Sequence, residues 1–291
     1  MKISFAKDFC IISDLYEFDP KDIFTCGQAF RWFEESDGSF TFVTNGKVAN
    51  VKKINGEIVL RGVDKASFYQ IFYNYFDLDR NYKEIIDELS RDEIMKNATE
   101  YGKGIRILNQ EKFETIISFI ISANNQIPRI KKSIEKISQM YGDFISEDEN
   151  RKYFSFPSAD RLKEAKAEDL REFARVGFRD KRIVETAKLI DSGEVNIFEI
   201  EKMELEDARA ALQILPGVGP KVADCILLFA FDRKESFPVD VWIKRVMEKL
   251  YLKEVTPKSK IAMRGREVFG KNAGFANQYL FYYGRENKLG K

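Results

Sequence analysis

Leu212-Gln-Ile-Leu-Pro-Gly-Val-Gly-Pro-Lys221-Val-Ala-Asp-Cys225 decides how this chain is read. A helix runs out near Ile214 or Leu215, and Pro216-Gly217-Val218-Gly219 makes a turn too tight for side chains. Pro220 then stands where the first turn of a new helix tolerates a missing N–H. The string therefore spells a helix-hairpin-helix. Its glycines let a ligand approach the main chain, and the unpaired N–H groups of the second helix present the positive end of a dipole, which suits a phosphate. A plain corner between two helices remains the alternative for the turn taken alone.

Lys221 falls in the first turn of that second helix, where the dipole opposes a cation and favours the neutral, nucleophilic amine. A phosphate-binding lysine fits the same position. Downstream, Pro238-Val-Asp240-Val-Trp242 adds a carboxylate. The helix after Gly219 runs out roughly 18 Å over about 12 residues. An extended return over Asp232 to Phe237, at ~3.3 Å per residue, brings Asp240 back to open the next helix. By itself Asp240 reads as an N-cap. Beside Lys221 it would stabilise a positively charged, sugar-like transition state and assist proton transfers.

Composition narrows the chemistry further. The 291 residues are 44% apolar and 33% charged, a globular balance, with a net charge of +1. With no histidine, Ser-His-Asp and Cys-His catalysis and imidazole-ligated metals are excluded. Cys10, Cys26 and Cys225 are too dispersed for a disulfide framework or a four-cysteine cluster. No stretch is long enough to span a bilayer and MKISFAKDFC lacks a signal-type apolar region, so a soluble, cytoplasmic protein is expected.

Before the hairpin, Ala29 to Val63 alternates β-rich segments with Ser36-Asp37-Gly38, Asn45-Gly46 and Asn55-Gly56. Two Asn-Gly turns so close together predict a four-strand antiparallel meander. Helical periodicity follows from Asp64, and Gly102-Lys103-Gly104 marks the boundary between residues 1–103 and 104–291. After it the pattern predicts helices at 111–123, 127–141, 167–176, 180–191, 204–214, 219–231, 239–251, 258–269 and 273–284, with no second sheet. The fold class is α+β. Val241 to Lys291 holds twelve Lys/Arg against four Glu, a local +8 that reads as a solvated face or as a polyanion surface.

LPGVGPKVADC followed by PVDVW resembles the helix-hairpin-helix glycine-proline-aspartate (HhH-GPD) superfamily of DNA glycosylases. CGQAFRW at Cys26–Trp32, SANNQIPR at Ser122–Arg129, VGFR at Val176–Arg179 and AGFAN at Ala273–Asn277 resemble its 8-oxoguanine DNA glycosylase/AP lyase branch. The four-cysteine motif of the endonuclease III and adenine glycosylase branches is absent. The resemblance implies excision of 8-oxoguanine flipped out of double-stranded DNA, with β-elimination at the abasic site. It implies a Schiff-base nucleophile at Lys221 and a catalytic carboxylate at Asp240. Gly27 would accept the N7–H found on 8-oxoguanine, Phe281 and Cys225 would sandwich the base, and Asn277 or Gln278 would bond its edge. Phosphate would meet the Gly217, Gly219 and Val222 main chain and the Trp242 position, which holds histidine in familiar members. Asn124, Arg129, Phe178 and Arg179 would fill the vacated stack and read the opposite base, Phe178 replacing a tyrosine. No cofactor is required, the Leu215 and Val218 carbonyls could hold a structural monovalent cation, and a monomer without membrane contact is expected. Excision of other oxidised or alkylated bases, or a non-catalytic DNA-binding module, are the alternatives. Individually, Cys225 and Phe281 also read as core, Gly27 as an ordinary turn and Asn124-Asn125 as a helix C-cap.

Overall fold

A computed structural model describes residues 1–289, so Lys291, counted in the basic run, lies outside the described residues. The chain forms two compact units, each assembled from separated stretches: residues 1–28, 51–109 and from Leu227 onward, and residues 29–50 with 110–226.

Six strands, β1 (Lys2–Phe5), β2 (Phe9–Ser13), β3 (Trp32–Glu34), β4 (Phe40–Thr44), β5 (Lys47–Ile54) and β6 (Glu57–Arg61), form one sheet in the order β1-β2-β6-β5-β4-β3. The meander β3 to β6 is the one that its turns predict. Asn45 and Gly46 take φ of 47° and 68°, and Asn55 and Gly56 take 51° and 86°, so both hairpins use positive φ at both corners. β1 and β2 extend the meander beyond β6. Their connection, Ala6-Lys7-Asp8, holds neither glycine nor asparagine, so no turn signal betrays them. Register follows the two-residue period: Cys10 and Ile12 of β2 face Leu60 and Ile58 of β6, and all four are fully buried.

In the first unit the Ala273–Glu286 helix is buried along every residue from Ala273 to Leu280. Phe275 meets Tyr82 edge-on at 5.5 Å, and the Arg106 guanidinium stacks over Tyr82 at 4.0 Å. Arg106 is 1% exposed and donates to the carbonyls of Phe76 and Glu17 at 2.8 and 3.2 Å; its burial lowers its pKa.

In the second unit, the Lys112–Ser122 helix buries Ile116, Ile117, Ile120 and Ile121, and the Ile127–Tyr141 helix buries Ile130, Ile134 and Ile137. Three apolar residues at helical spacing hold the latter helix down, each worth about 1.5–3 kcal/mol of burial.

The observed helices fall on the predicted segments, with three corrections. A second, two-stranded sheet exists after Gly104, β7 (Phe144–Glu147) with β8 (Lys152–Phe154). Strands of three or four residues, one interrupted by a register shift between Phe144 and Ser146, are too short to show a period. Short helices at Ala159–Leu162 and Ile197–Ile200 escape the pattern for the same reason. The helix expected over 239–251 is α-helical only over Val241–Val246, then widens into a π-turn over Met247–Leu252. Among the described residues no helix is long and apolar enough to cross a membrane.

Candidate active site

The hairpin joins the Leu205–Leu212 helix to the Pro220–Ala230 helix and lies in the second unit, which ends at Ile226. Gly217 has φ +90°, and a Cβ there would lie 3.0 Å from Arg182 Cδ and 3.5 Å from Ile120 Cγ2. Conformation and packing both require glycine at 217. Around Gly219 a Cβ would meet nothing within 4 Å, so its smallness serves no internal contact. Ala223 N–H donates to Gly219 O at 2.9 Å, which leaves the N–H groups of Lys221 and Val222 in the first turn, without intrahelical acceptors. Lys221 is half-buried, its Nζ 5.5 Å from the Phe119 ring centroid. Cys225, one turn further on the same face, is a buried thiol.

The two legs are tied together by an ion pair that sequence reasoning missed. Arg209 Nε donates to Asp224 Oδ1 at 2.7 Å, with both side chains nearly inaccessible, and Arg209 also bonds Glu206. The available signal was Asp224 itself, a lone acid in the apolar helix VADCILLFA. Leu215 O accepts Val218 N–H at 3.0 Å and keeps a second lone pair. The turn thus offers neutral oxygens, the donor type that a hard monovalent cation takes. No cluster of three His, Cys, Asp or Glu that could hold a metal occurs among the described residues.

Asp240 belongs to the first unit. It N-caps the Val241–Val246 helix, accepting Ile243 N–H at 2.8 Å. The chain leading to it is fixed from several sides. Buried Lys234 donates to Asp232 at 3.0 Å and to Leu228 O at 3.2 Å, and burial lowers its pKa. Asn277 donates to Pro238 O at 2.9 Å, two residues before Asp240. Trp242 is half-buried, with the Arg245 guanidinium 5.3 Å from its ring centroid.

Gly27, Gln278 and Phe281 come together in the same unit. Gly27 has φ +85°, and a Cβ there would lie 3.0 Å from Phe281 Cε1 and 3.3 Å from Arg285 Nη1. Gln278 Nε2 donates to Cys26 O at 2.8 Å, while Arg285 Nη2 donates to Thr25 O at 2.6 Å. Gln28, fully buried, clamps the other side: it donates to Ile23 O and Arg106 O at 2.9 and 2.8 Å and accepts Leu108 N–H at 2.8 Å. The Cys26 thiol is pushed up to about 12 by burial. The alternatives for the edge-bonding amide therefore separate: Gln278 supports the Gly27 turn, and Asn277 supports the approach to Asp240.

Asn124, Phe178 and Arg179 meet in the second unit. Asn124 follows the Lys112–Ser122 helix in the left-handed region, φ +52°. Arg179 is buried and donates to Ala123 O (Nε, 3.1 Å), Val176 O (3.0 Å) and Asn124 O (3.2 Å), so its guanidinium holds the turn. Phe178 is 57% exposed, with the Arg179 and Arg182 guanidinium groups 4.3 and 5.2 Å from its ring centroid. Arg129 lies exposed in the first turn of the Ile127–Tyr141 helix. In the basic C-terminal run several cations are paired with acids: Lys244 with Glu248, Arg264 with Glu267 at 3.3 Å, Lys271 with Glu88 at 3.7 Å and Arg285 with Glu286 at 2.8 Å.

An antiparallel sheet ahead of a helical body with a lysine at the hairpin defines a helix-hairpin-helix DNA repair protein. Residues 117–271 match the HhH-GPD superfamily base excision DNA repair proteins, and residues 10–116 match the 8-oxoguanine DNA glycosylase N-terminal domain. The chain belongs to the HhH-GPD superfamily, in the branch that carries this N-terminal domain. It is 31% identical to the N-glycosylase/DNA lyase of Saccharomyces cerevisiae over 257 residues, 79% of this chain and 67% of the yeast protein. With the Arabidopsis thaliana N-glycosylase/DNA lyase it shares 28% identity over 275 residues, 89% and 75% of the two chains. The solved structure of Clostridium acetobutylicum 8-oxoguanine glycosylase/lyase in complex with double-stranded DNA containing cytosine opposite 8-oxoguanine superposes with a TM-score of 0.96 at 42% identity, over 99% of each chain.

Proposed function

We propose that this protein is a bifunctional DNA repair glycosylase that excises 8-oxoguanine from duplex DNA and then cleaves the strand at the abasic site. The observation that carries it is Lys221, half-buried in the first turn of the hairpin's second helix, in a chain where Asp240 opens a helix of its own. Lys221 Nζ attacks C1′ as the glycosidic bond breaks, and the departing purine takes a proton. Asp240 stabilises the positive charge that develops on the sugar and assists proton transfer. The aminal so formed opens as the C1′–O4′ bond breaks and O4′ takes a proton, and the resulting Schiff base acidifies C2′; loss of that proton and departure of the 3′-phosphate with its electron pair nick the strand. Around the flipped base, the Gly27 carbonyl accepts the lesion's N7–H, Phe281 and Cys225 flank the ring, and Gln278 acts from behind Gly27. The hairpin N–H groups at Gly217, Gly219 and Val222, with the Trp242 position, face phosphates, and the Leu215 and Val218 carbonyls suit a structural monovalent cation. A cytoplasmic location goes with this reading, at the nucleoid if the source is prokaryotic.

Borohydride reduction tests this reading. A covalent complex should form on a duplex carrying 8-oxoguanine and not on the same duplex carrying guanine; no complex on either would overturn it.

A further inference from the structure

The Ile127–Tyr141 helix carries Arg129, Lys131, Lys132 and Lys136 against one acid, Glu135. These charges are not equivalent. Lys131 is half-buried over the Trp32 ring, 3.2 Å from its centroid, and faces inward. Glu135 is half-buried too, bonded to Gln139 and facing Arg31 and Arg151. Arg129, Lys132 and Lys136 are exposed. At positions i, i+3 and i+7 they lie along one face and span roughly 10 Å.

This stripe differs from the basic C-terminal run, several of whose cations meet acids. Among the described residues no acid is bonded to Arg129, Lys132 or Lys136, so the stripe is a net positive line exposed to solvent. Its first member stands one turn beyond the Asn124 turn that Arg179 holds, at the end where the opposite strand is expected. The stripe runs away from that point. A DNA strand carries a phosphate about every 3.4 Å of helix axis, so a line of roughly 10 Å matches a run of about three.

We infer that Lys132 and Lys136 form a phosphate track for duplex DNA flanking the lesion, beyond the residues that touch the flipped base or its partner. This rests on the DNA-repair reading and adds a second, sequence-independent contact surface to it. The track grips backbone only, so it acts alike on damaged and undamaged duplexes.

The test is a fluorescence-anisotropy titration of the full chain over a series of salt concentrations, with the Lys132→Ala/Lys136→Ala double variant beside the unaltered protein. Loss of two phosphate contacts lowers the magnitude of the log–log salt slope by about 1.8. The drop should be the same for duplexes carrying 8-oxoguanine and guanine, and the Lys132→Arg/Lys136→Arg variant should restore the slope. Single-turnover excision from the saturated complex should be unchanged. An unaltered slope overturns the track and leaves the stripe to an acidic protein. On the guanine duplex binding is measured without excision, so failure of the unaltered protein to trap 8-oxoguanine DNA would count against the repair reading and not against the track.

Discussion

Gly27 and Gly219 each stand at a turn expected to approach DNA, and a methyl group added to each would meet opposite surroundings. At Gly27 it would run into Phe281 and Arg285 on a backbone with φ +85°. At Gly219 it would enter open space. The Gly27 turn is closed by the protein's own side chains and backed by Gln28 and Gln278, which makes it a rigid wall suited to testing one atom of a base. At Gly219 the hairpin leaves open space beside the main chain. Gly217, next to it, shows the internal use of the same residue type, since Arg182 and Ile120 pack against it. On the proposed reading, lesion choice falls to the Gly27 turn, and grip with chemistry to the hairpin.

The most severe way to break that division is Lys221→Gln. It should abolish borohydride trapping and reduce excision beyond ~10³-fold, while 8-oxoguanine duplex is still preferred over guanine duplex in binding; residual trapping would move the nucleophile elsewhere. Asp240→Asn should slow single-turnover base release about 10²–10³-fold, because an amide keeps the N-cap bond to Ile243 but loses the charge. An unchanged rate would reduce Asp240 to its cap.

Stability separates the two regions as well. Arg209→Met breaks the buried ion pair with Asp224, so urea unfolding should report a loss of about 3–5 kcal/mol, with the hairpin legs affected first. Gly27→Ala should cost about tenfold or more in affinity for the 8-oxoguanine duplex and little for the guanine duplex, since positive φ alone costs an alanine roughly 1–2 kcal/mol. Gly219→Ala should weaken both duplexes equally, by a few-fold. If Gly219→Ala changed the preference between duplexes, the division would fail.

A separate effect concerns the opposite base. Arg129 is exposed and unengaged by carbonyls, whereas Arg179 is bonded to three of them. Excision opposite cytosine should exceed excision opposite adenine by about tenfold, because adenine's N6 donor leaves an arginine donor unmatched. Arg129→Ala should erase that preference, and Arg179→Ala should lower both rates together by loosening the Asn124 turn. Equal rates in the unaltered protein would show that the opposite base is not read.

Much of this site is written in local sequence. The hairpin, the helix start at Pro220 and the cap at Asp240 follow from glycine, proline and aspartate at fixed offsets, rules that act within a few residues. The Asn-Gly hairpins of the meander are legible for the same reason, and β1–β2 and β7–β8 are not, because their turns and lengths carry no such mark. Long-range partners are a different matter. Asn277 and Gln278 are neighbours in sequence, and a helix turns about 100° between them, so one side chain reaches Pro238 and the other Cys26. Nothing in AGFAN-Gln278 announces which is which. Arg179 likewise reads as a candidate for the opposite base until its guanidinium is found on Ala123, Asn124 and Val176.

By itself, then, the sequence determined the kinds of turn, most of the helix starts and the placing of Lys221 and Asp240 at two of them, because backbone sterics and capping are settled over a few bonds. Only the tertiary structure decided which buried amide supports which loop, that Arg209 ties Asp224 across the hairpin, and that Gly27 is walled by Phe281. Those depend on residues 15 to 254 positions apart meeting in a space that local spacing does not encode.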